Sequence, residues 1–156
     1  MFLIEAFDTL SWDFLIQVLN QFGHTFLQWI LTIFESVKLP IRVNGSLNGY
    51  FPCSRGVRHD DPFSPLLFCI AKKVLNRGIT NLILTKHNFF MASLKGFYFS
   101  SHVLYADDIF VFCMANKRSL SSLMKFLHSY GLASGQWINI SKSHFFHNWR
   151  CSKFPI

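Results

Sequence analysis

Two apolar periods alternate along the chain. Phe14, Leu15, Val18 and Leu19 recur at three- and four-residue spacing, the period of a helix with one buried stripe. Asp8, Thr9 or Ser11 offers its N-cap, Phe2 to Phe7 before it reads as the end of a strand, and Gly23 is its stop. A second helix is predicted from about Thr25 to Val37, with Phe26, Trp29, Ile30 and Ile33 on one face. Leu39 to Val43 and Tyr50 to Cys53 then flank Asn44-Gly45 and Asn48-Gly49, a pattern that predicts a β-hairpin. Pro62 marks a fresh helix start. From Ser64 to about Ile79, Leu67, Ile70, Ala71, Val74 and Leu75 keep helical spacing, and Asn76 to Gly78 weakens its end. Thr85 to Ser101 has no readable period. Val103 to Tyr105 and Ile109 to Phe112 are strand-like runs separated by Ala106-Asp107-Asp108, and Leu120 to Tyr130 is helical with Gly131 at its end.

This order, helix, helix, hairpin, helix, hairpin, helix, predicts an α+β fold with helices packed on an antiparallel sheet. No repeat, low-complexity tract or linker divides it, so residues 1–150 read as one domain and 151–156 as a tail. Composition agrees: 156 residues, 51% of them apolar, can build one core. Phenylalanine at 19 positions leaves some large rings exposed or facing segments not present, and poor solubility is expected. The net charge of +7 favours an anionic partner, nucleic acid before membrane. No apolar run approaches the roughly 18 residues of a membrane span. Met1 to Leu10 carries Glu5 and Asp8 and no basic residue, unlike a signal peptide. Cys53, Cys69, Cys113 and Cys151 are too far apart for a paired zinc motif, so reduced thiols in an intracellular protein are expected.

The most informative stretch is Val103-Leu-Tyr-Ala-Asp-Asp-Ile-Phe-Val-Phe112, in which two adjacent acids are enclosed by apolar residues. In a regular strand Asp107 and Asp108 would face opposite sides, but at a tight hairpin turn both carboxylates can approach one site. Their mutual repulsion is relieved by a divalent cation, and open oxygen ligation suits Mg²⁺ held together with substrate phosphates. Paired ions of that kind serve an in-line displacement at phosphorus. The competing reading is an ordinary Asp-rich turn.

Four ordered blocks decide between them. Ala6-Phe7-Asp8-Thr-Leu-Ser-Trp-Asp13, Gly56-Val-Arg-His-Asp-Asp-Pro-Phe-Ser-Pro-Leu-Leu-Phe68, Tyr105-Ala106-Asp107-Asp108 and Ser134-Gly-Gln-Trp-Ile-Asn-Ile-Ser-Lys-Ser143 together span nearly the whole chain. They resemble the reverse transcriptase, an RNA-directed DNA polymerase, of plant LINE-type non-LTR retrotransposons. The resemblance implies a partial polymerase palm with a catalytic-type β-hairpin. It makes Asp107 and Asp108 catalytic metal ligands for Mg²⁺ or Mn²⁺, and places Tyr105 beside them. It also implies that Phe7 lies under the sugar and excludes a 2′-hydroxyl. Arg58, His59, Ser64 and Pro65 would belong to the segment that holds incoming nucleotide and template, and Lys142 would lie near the triphosphate. Implied partners are an RNA template, a DNA primer and deoxynucleotides. A nuclear compartment is implied at family level only.

The same resemblance exposes departures. The first block's metal-binding aspartate falls at Phe2, and a phenyl ring cannot ligate a cation. Glu5, in strand register, would face the other side from Phe2. The family's Gln-Gly stands here as His59-Asp60, which adds a side chain and a negative charge where a triphosphate must pass. The resemblance starts inside the first palm block, so fingers, thumb and endonuclease are not expected. Arg58-His59-Asp60-Asp61 as a metal phosphohydrolase signature lacks distant partners and is set aside. The expectation is a reverse-transcriptase-derived palm whose metal binding is weak or lost and whose activity is gone. The rivals are a non-catalytic module for single-stranded nucleic acid and a relic with no function.

Overall fold

A computed structural model describes residues 2–3, 7–36, 38–57, 61–85, 100–147 and 150–153. Ser11 caps the first helix (α1, Trp12–Leu19), its hydroxyl accepting from the Phe14 amide at 3.3 Å. A 3-10 turn at Asn20–Phe22 follows and Gly23, at φ +104°, breaks the run before the second helix (α2, His24–Ser36). The first hairpin pairs β2 (Lys38–Val43) with β3 (Ser46–Pro52) around Asn44-Gly45, a two-residue turn with both φ positive. The third helix (α3, Ser64–Thr85) is opened by Asp61, whose carboxylate accepts from the Phe63 amide at 2.8 Å.

Four short strands form the sheet that carries the acids. They are β1 (Phe2–Leu3), β4 (His102–Tyr105), β5 (Asp108–Val111) and β6 (Ile138–Asn139), in the antiparallel order β4-β5-β1-β6. The fourth helix (α4, Lys117–Ser134) connects β5 to β6, and a last hairpin joins β7 (His144–His147) to β8 (Arg150–Lys153). The architecture is α+β, as the sequence predicted. The last strand crosses the boundary drawn at residue 150 between domain and tail.

The core gathers Leu10, Leu15, Leu19, Ile30, Leu67, Ala71, Leu75, Ile79 and Ile109, from α1, α2, α3 and one face of the sheet. Three expectations about elements change. The α2 stripe is Leu27, Ile30 and Phe34 rather than one containing Trp29, which stays exposed. Phe34 stacks on Trp12 at 4.6 Å and 7°, and that contact sets the face that turns inward. α3 does not end at Asn76 to Gly78 but runs to Thr85, because Gly78 lies against Phe126 of α4. A Cβ there would sit 2.3 Å from the ring, so the missing side chain is a packing feature. α4 likewise continues past Gly131, where the Trp137 ring lies 2.9 Å from a built Cβ, and stops at Gly135 in the left-handed region. Of the unreadable segment from Thr85 to Ser101, residues 86–99 lie outside the described residues.

Candidate nucleotidyl-transfer site

The loop that carries the first block is held from two sides by backbone. Val57 donates its amide to the Phe7 carbonyl (2.9 Å), Gly56 to Leu10 (2.7 Å), and Trp12 Nε1 to the Gly56 carbonyl (2.7 Å). From the other side, the Ser11 amide donates to the Ser134 carbonyl at 2.8 Å. Two glycines make this approach possible. A Cβ on Gly56 would stand 2.6 Å from the Asp8 carbonyl oxygen, and one on Gly135 would stand 2.3 Å from that of Thr9; both residues have positive φ. The first, second and last blocks therefore converge on residues 7–11.

The acids sit at the β4–β5 hairpin of the four-stranded sheet. Tyr105 pairs with Asp108, leaving Ala106-Asp107 as a two-residue turn, and Ala106 takes φ +43°. An alanine there is strained, a condition that persists only where surrounding structure imposes it. Directly opposed residues share a face. His102, Leu104, Ile109 and Val111 therefore turn toward the helices, with Ile109 fully buried, while Val103, Tyr105, Asp108 and Phe110 lie on the open face. Asp107 is exposed and Asp108 half-buried, so the pair is wetter than its apolar flanks suggest. β1 lies beside β5 with residue 2 as the register partner of Asp108 and, on its other side, of Asn139. Asn139 caps the turn Ile140–Lys142, accepting from the Lys142 amide at 3.2 Å.

The structure thus brings Asp107, Asp108, Tyr105, residue 2 and the turn bearing the exposed Lys142 onto one small sheet. Phe7 is half-buried and stacks on Phe68 of α3 at 4.3 Å and 18°. Ser64 is buried at the start of α3, and Pro65 beside it is exposed. Ser64 lines, with Asp8, Arg55, Gly56 and Asp61, a separate cavity of about 470 Å³. Arg58, His59, Asp60 and Glu5 lie outside the described residues. Among the described residues no group of three or more His, Cys, Asp or Glu is placed to hold a metal. The donor set at the hairpin tip is two carboxylates, which suits one loosely held hard cation and falls short of a bridged pair.

Two buried polar groups near the hairpin were not singled out from the sequence. His102 is buried, its Nε2 donating to Asn76 Oδ1 of α3 at 2.8 Å and its Nδ1 accepting from the Ser101 hydroxyl at 2.9 Å. Burial pulls its pKa down, so it acts as a neutral pin between α3 and β4. Asn76→Ala is expected to leave the His102 N–H unpaired and to cost about 1–3 kcal/mol in urea unfolding, with faster hydrogen exchange at the β4–β5 amides. Unchanged stability and exchange would show that the pin is idle. Lys72, one turn before Asn76, is buried, and desolvation lowers it to about 8 against the opposing pull of Asp107 and Asp108. The sequence carried a signal for it: Lys72 falls inside the stripe Leu67, Phe68, Ala71, Leu75, Ile79.

Comparison with known proteins adds kinship to this geometry. The family described as reverse transcriptase (RNA-dependent DNA polymerase) matches residues 3–154. The chain is also similar to the transposon TX1 uncharacterized 149 kDa protein of Xenopus laevis, 28% identical over 145 residues. That match covers 89% of this chain and 10% of the relative, so the chain spans about a tenth of that protein's length. No helix among the described residues is long and apolar enough to cross a membrane.

Proposed function

The chain belongs to the reverse transcriptase family, and from that premise we propose that it is a palm-type domain that has kept the nucleic-acid-facing sheet of an RNA-directed DNA polymerase and lost its chemistry. The carrying observation is the register of β1, which sets position 2 beside Asp108, where a third carboxylate would complete the site and this chain has phenylalanine. Asp107 and Asp108 would hold a divalent cation. When bound, it supplies neutralisation of phosphate charge and activation of a primer hydroxyl. The protein's own groups do the positioning. The strained Ala106 turn fixes both carboxylates at the sheet edge, and the Phe7–Phe68 stack gives the nucleotide sugar a flat, rigid neighbour. With two acids in place of three, the residues present would support one cation and leave a second without its ligand, so the charge neutralisation that in-line transfer needs would be incomplete.

Purified chain on a primed RNA template with Mg²⁺ or Mn²⁺ is expected to give no extension above an Asp107→Asn, Asp108→Asn control. Metal-dependent synthesis that disappears in the control would sink the proposed loss. Restoration tests the cause. Phe2→Asp with His59→Gln and Asp60→Gly, in a chain that also carries fingers and thumb, should extend primers about a hundredfold faster than the unrestored version or more. Equal rates would clear Phe2 of blame.

A second reading is favoured by the open sheet face. Tyr105 and Phe110, with Val103 opposite Phe110, are exposed on the face of Asp108, and the two rings give surfaces on which bases can stack in a chain of net charge +7. Binding to single-stranded RNA that weakens steeply with salt and with Tyr105→Ala would support retained recognition without catalysis. Salt-independent adhesion would point to apolar stickiness.

A further inference from the structure

Lys72 is a charged residue built into the interior face of α3, within electrostatic reach of the two acids. It is 7% exposed, and among the described residues its ammonium meets no hydrogen-bond partner. The Phe68 ring lies 5.4 Å from its Nζ to the centroid, a distance at which a cation is attracted to the ring face. Phe68 in turn stacks on Phe7, so the ammonium adjoins an aromatic pair that joins the first block to the second. One turn further along the same face of α3, Asn76 is bonded to His102 at the start of β4, and that strand leads to the turn of Asp107 and Asp108. Charge in the interior without a hydrogen-bonded partner is costly, and what opposes the cost here is the field of those two carboxylates.

We propose that the Lys72 ammonium is an internal counter-cation to Asp107 and Asp108, which lowers the affinity of the hairpin tip for divalent metal independently of position 2. The inference rests on the reading of the two acids as a cation site. A buried ammonium within electrostatic reach of the carboxylates neutralises part of the potential that would draw Mg²⁺ and repels the ion that arrives. Being sealed from solvent, it is poorly screened by salt. The chain therefore carries two separate obstacles to metal chemistry: a missing ligand at position 2 and a resident positive charge within reach of the remaining pair.

The probe is Mn²⁺ alone, titrated calorimetrically and by electron paramagnetic resonance into the purified chain. Lys72→Met keeps most of the stem and removes the charge, and Lys72→Gln offers a second uncharged side chain should methionine disturb folding. Either is expected to bind Mn²⁺ about tenfold tighter than the unaltered chain or more, and the gain should vanish when Asp107→Asn and Asp108→Asn are added. Equal affinity in the unaltered and Lys72 variants, with binding still abolished by the double Asn change, overturns the counter-cation while leaving the metal site standing. Binding indifferent to both Asn changes, or no binding in any variant, overturns the metal site and the inference with it.

Discussion

Gly135→Ala is expected to unfold a large share of the chain at room temperature, and Gly56→Ala to come close behind it. Both glycines have positive φ, which costs an alanine about 1 kcal/mol. Both also press on backbone rather than on a movable side chain, at 2.3 Å from the Thr9 oxygen and 2.6 Å from the Asp8 oxygen. Relief requires residues 7–11 to shift, which breaks the bonds from Ser11 to Ser134 and from Gly56 to Leu10. Strain and overpacking together amount to about 3–5 kcal/mol, a large part of the stability of an ordinary domain. Gly45→Ala is the internal control. Its φ is +82°, yet nothing lies within 4 Å of its built Cβ, so only the conformational part of the cost applies. Urea unfolding of the three variants should give a small loss for Gly45 and large, similar losses for the other two. Equal losses at all three would mean that the loop yields and that the convergence on residues 7–11 is soft.

The same convergence explains how much of the site was legible in the sequence. Asp107 and Asp108 could be found because adjacent acids inside an apolar run conflict with burial, and because Tyr105-Ala106-Asp107-Asp108 is short and contiguous. Phe2 could be singled out only by resemblance; the β1 register then placed residue 2 next to Asp108. Gly78 and Gly131 misled, since a glycine in a helical run looks like an end, whereas here each opens room for one ring from elsewhere in the chain, Phe126 and Trp137. Trp29 misled for a related reason. Helical period marks a stripe but cannot choose between adjacent stripes in a segment as apolar as α2, and the Trp12–Phe34 stack made the choice. These are decisions of tertiary contact, which no local pattern contains. The polar pin from Asn76 to His102 spans 26 residues and is invisible to local patterning for the same reason.

Lys72→Met is expected to stabilise the chain at neutral pH, against the usual direction of core substitutions. Below pH 8 the folded protein must keep a buried ammonium charged, and the lowering from 10.5 to about 8 corresponds to a penalty of about 3 kcal/mol. Methionine keeps the length and most of the volume of the stem without the charge, so about that much should be recovered, raising the melting temperature at pH 7 by about 5–10 °C. The pH dependence carries the sign. Between about 8 and 10.5 the unfolded chain holds a proton on Lys72 that the folded chain has released, so the lysine's contribution to stability rises with pH across that window and the penalty fades. Burial pushes the Cys113 thiol and the Tyr130 phenol up from their ordinary values, and those groups act oppositely, removing stability as pH climbs past 9 and 10. Subtracting the Lys72→Met curve from that of the unaltered chain cancels their effect and leaves the lysine. The advantage of methionine should be full at pH 7 and nearly gone at pH 10.5. A difference that stays constant across that range would mean that Lys72 acts through packing alone, and a loss of stability at pH 7 would mean that attraction from Asp107 and Asp108 outweighs desolvation.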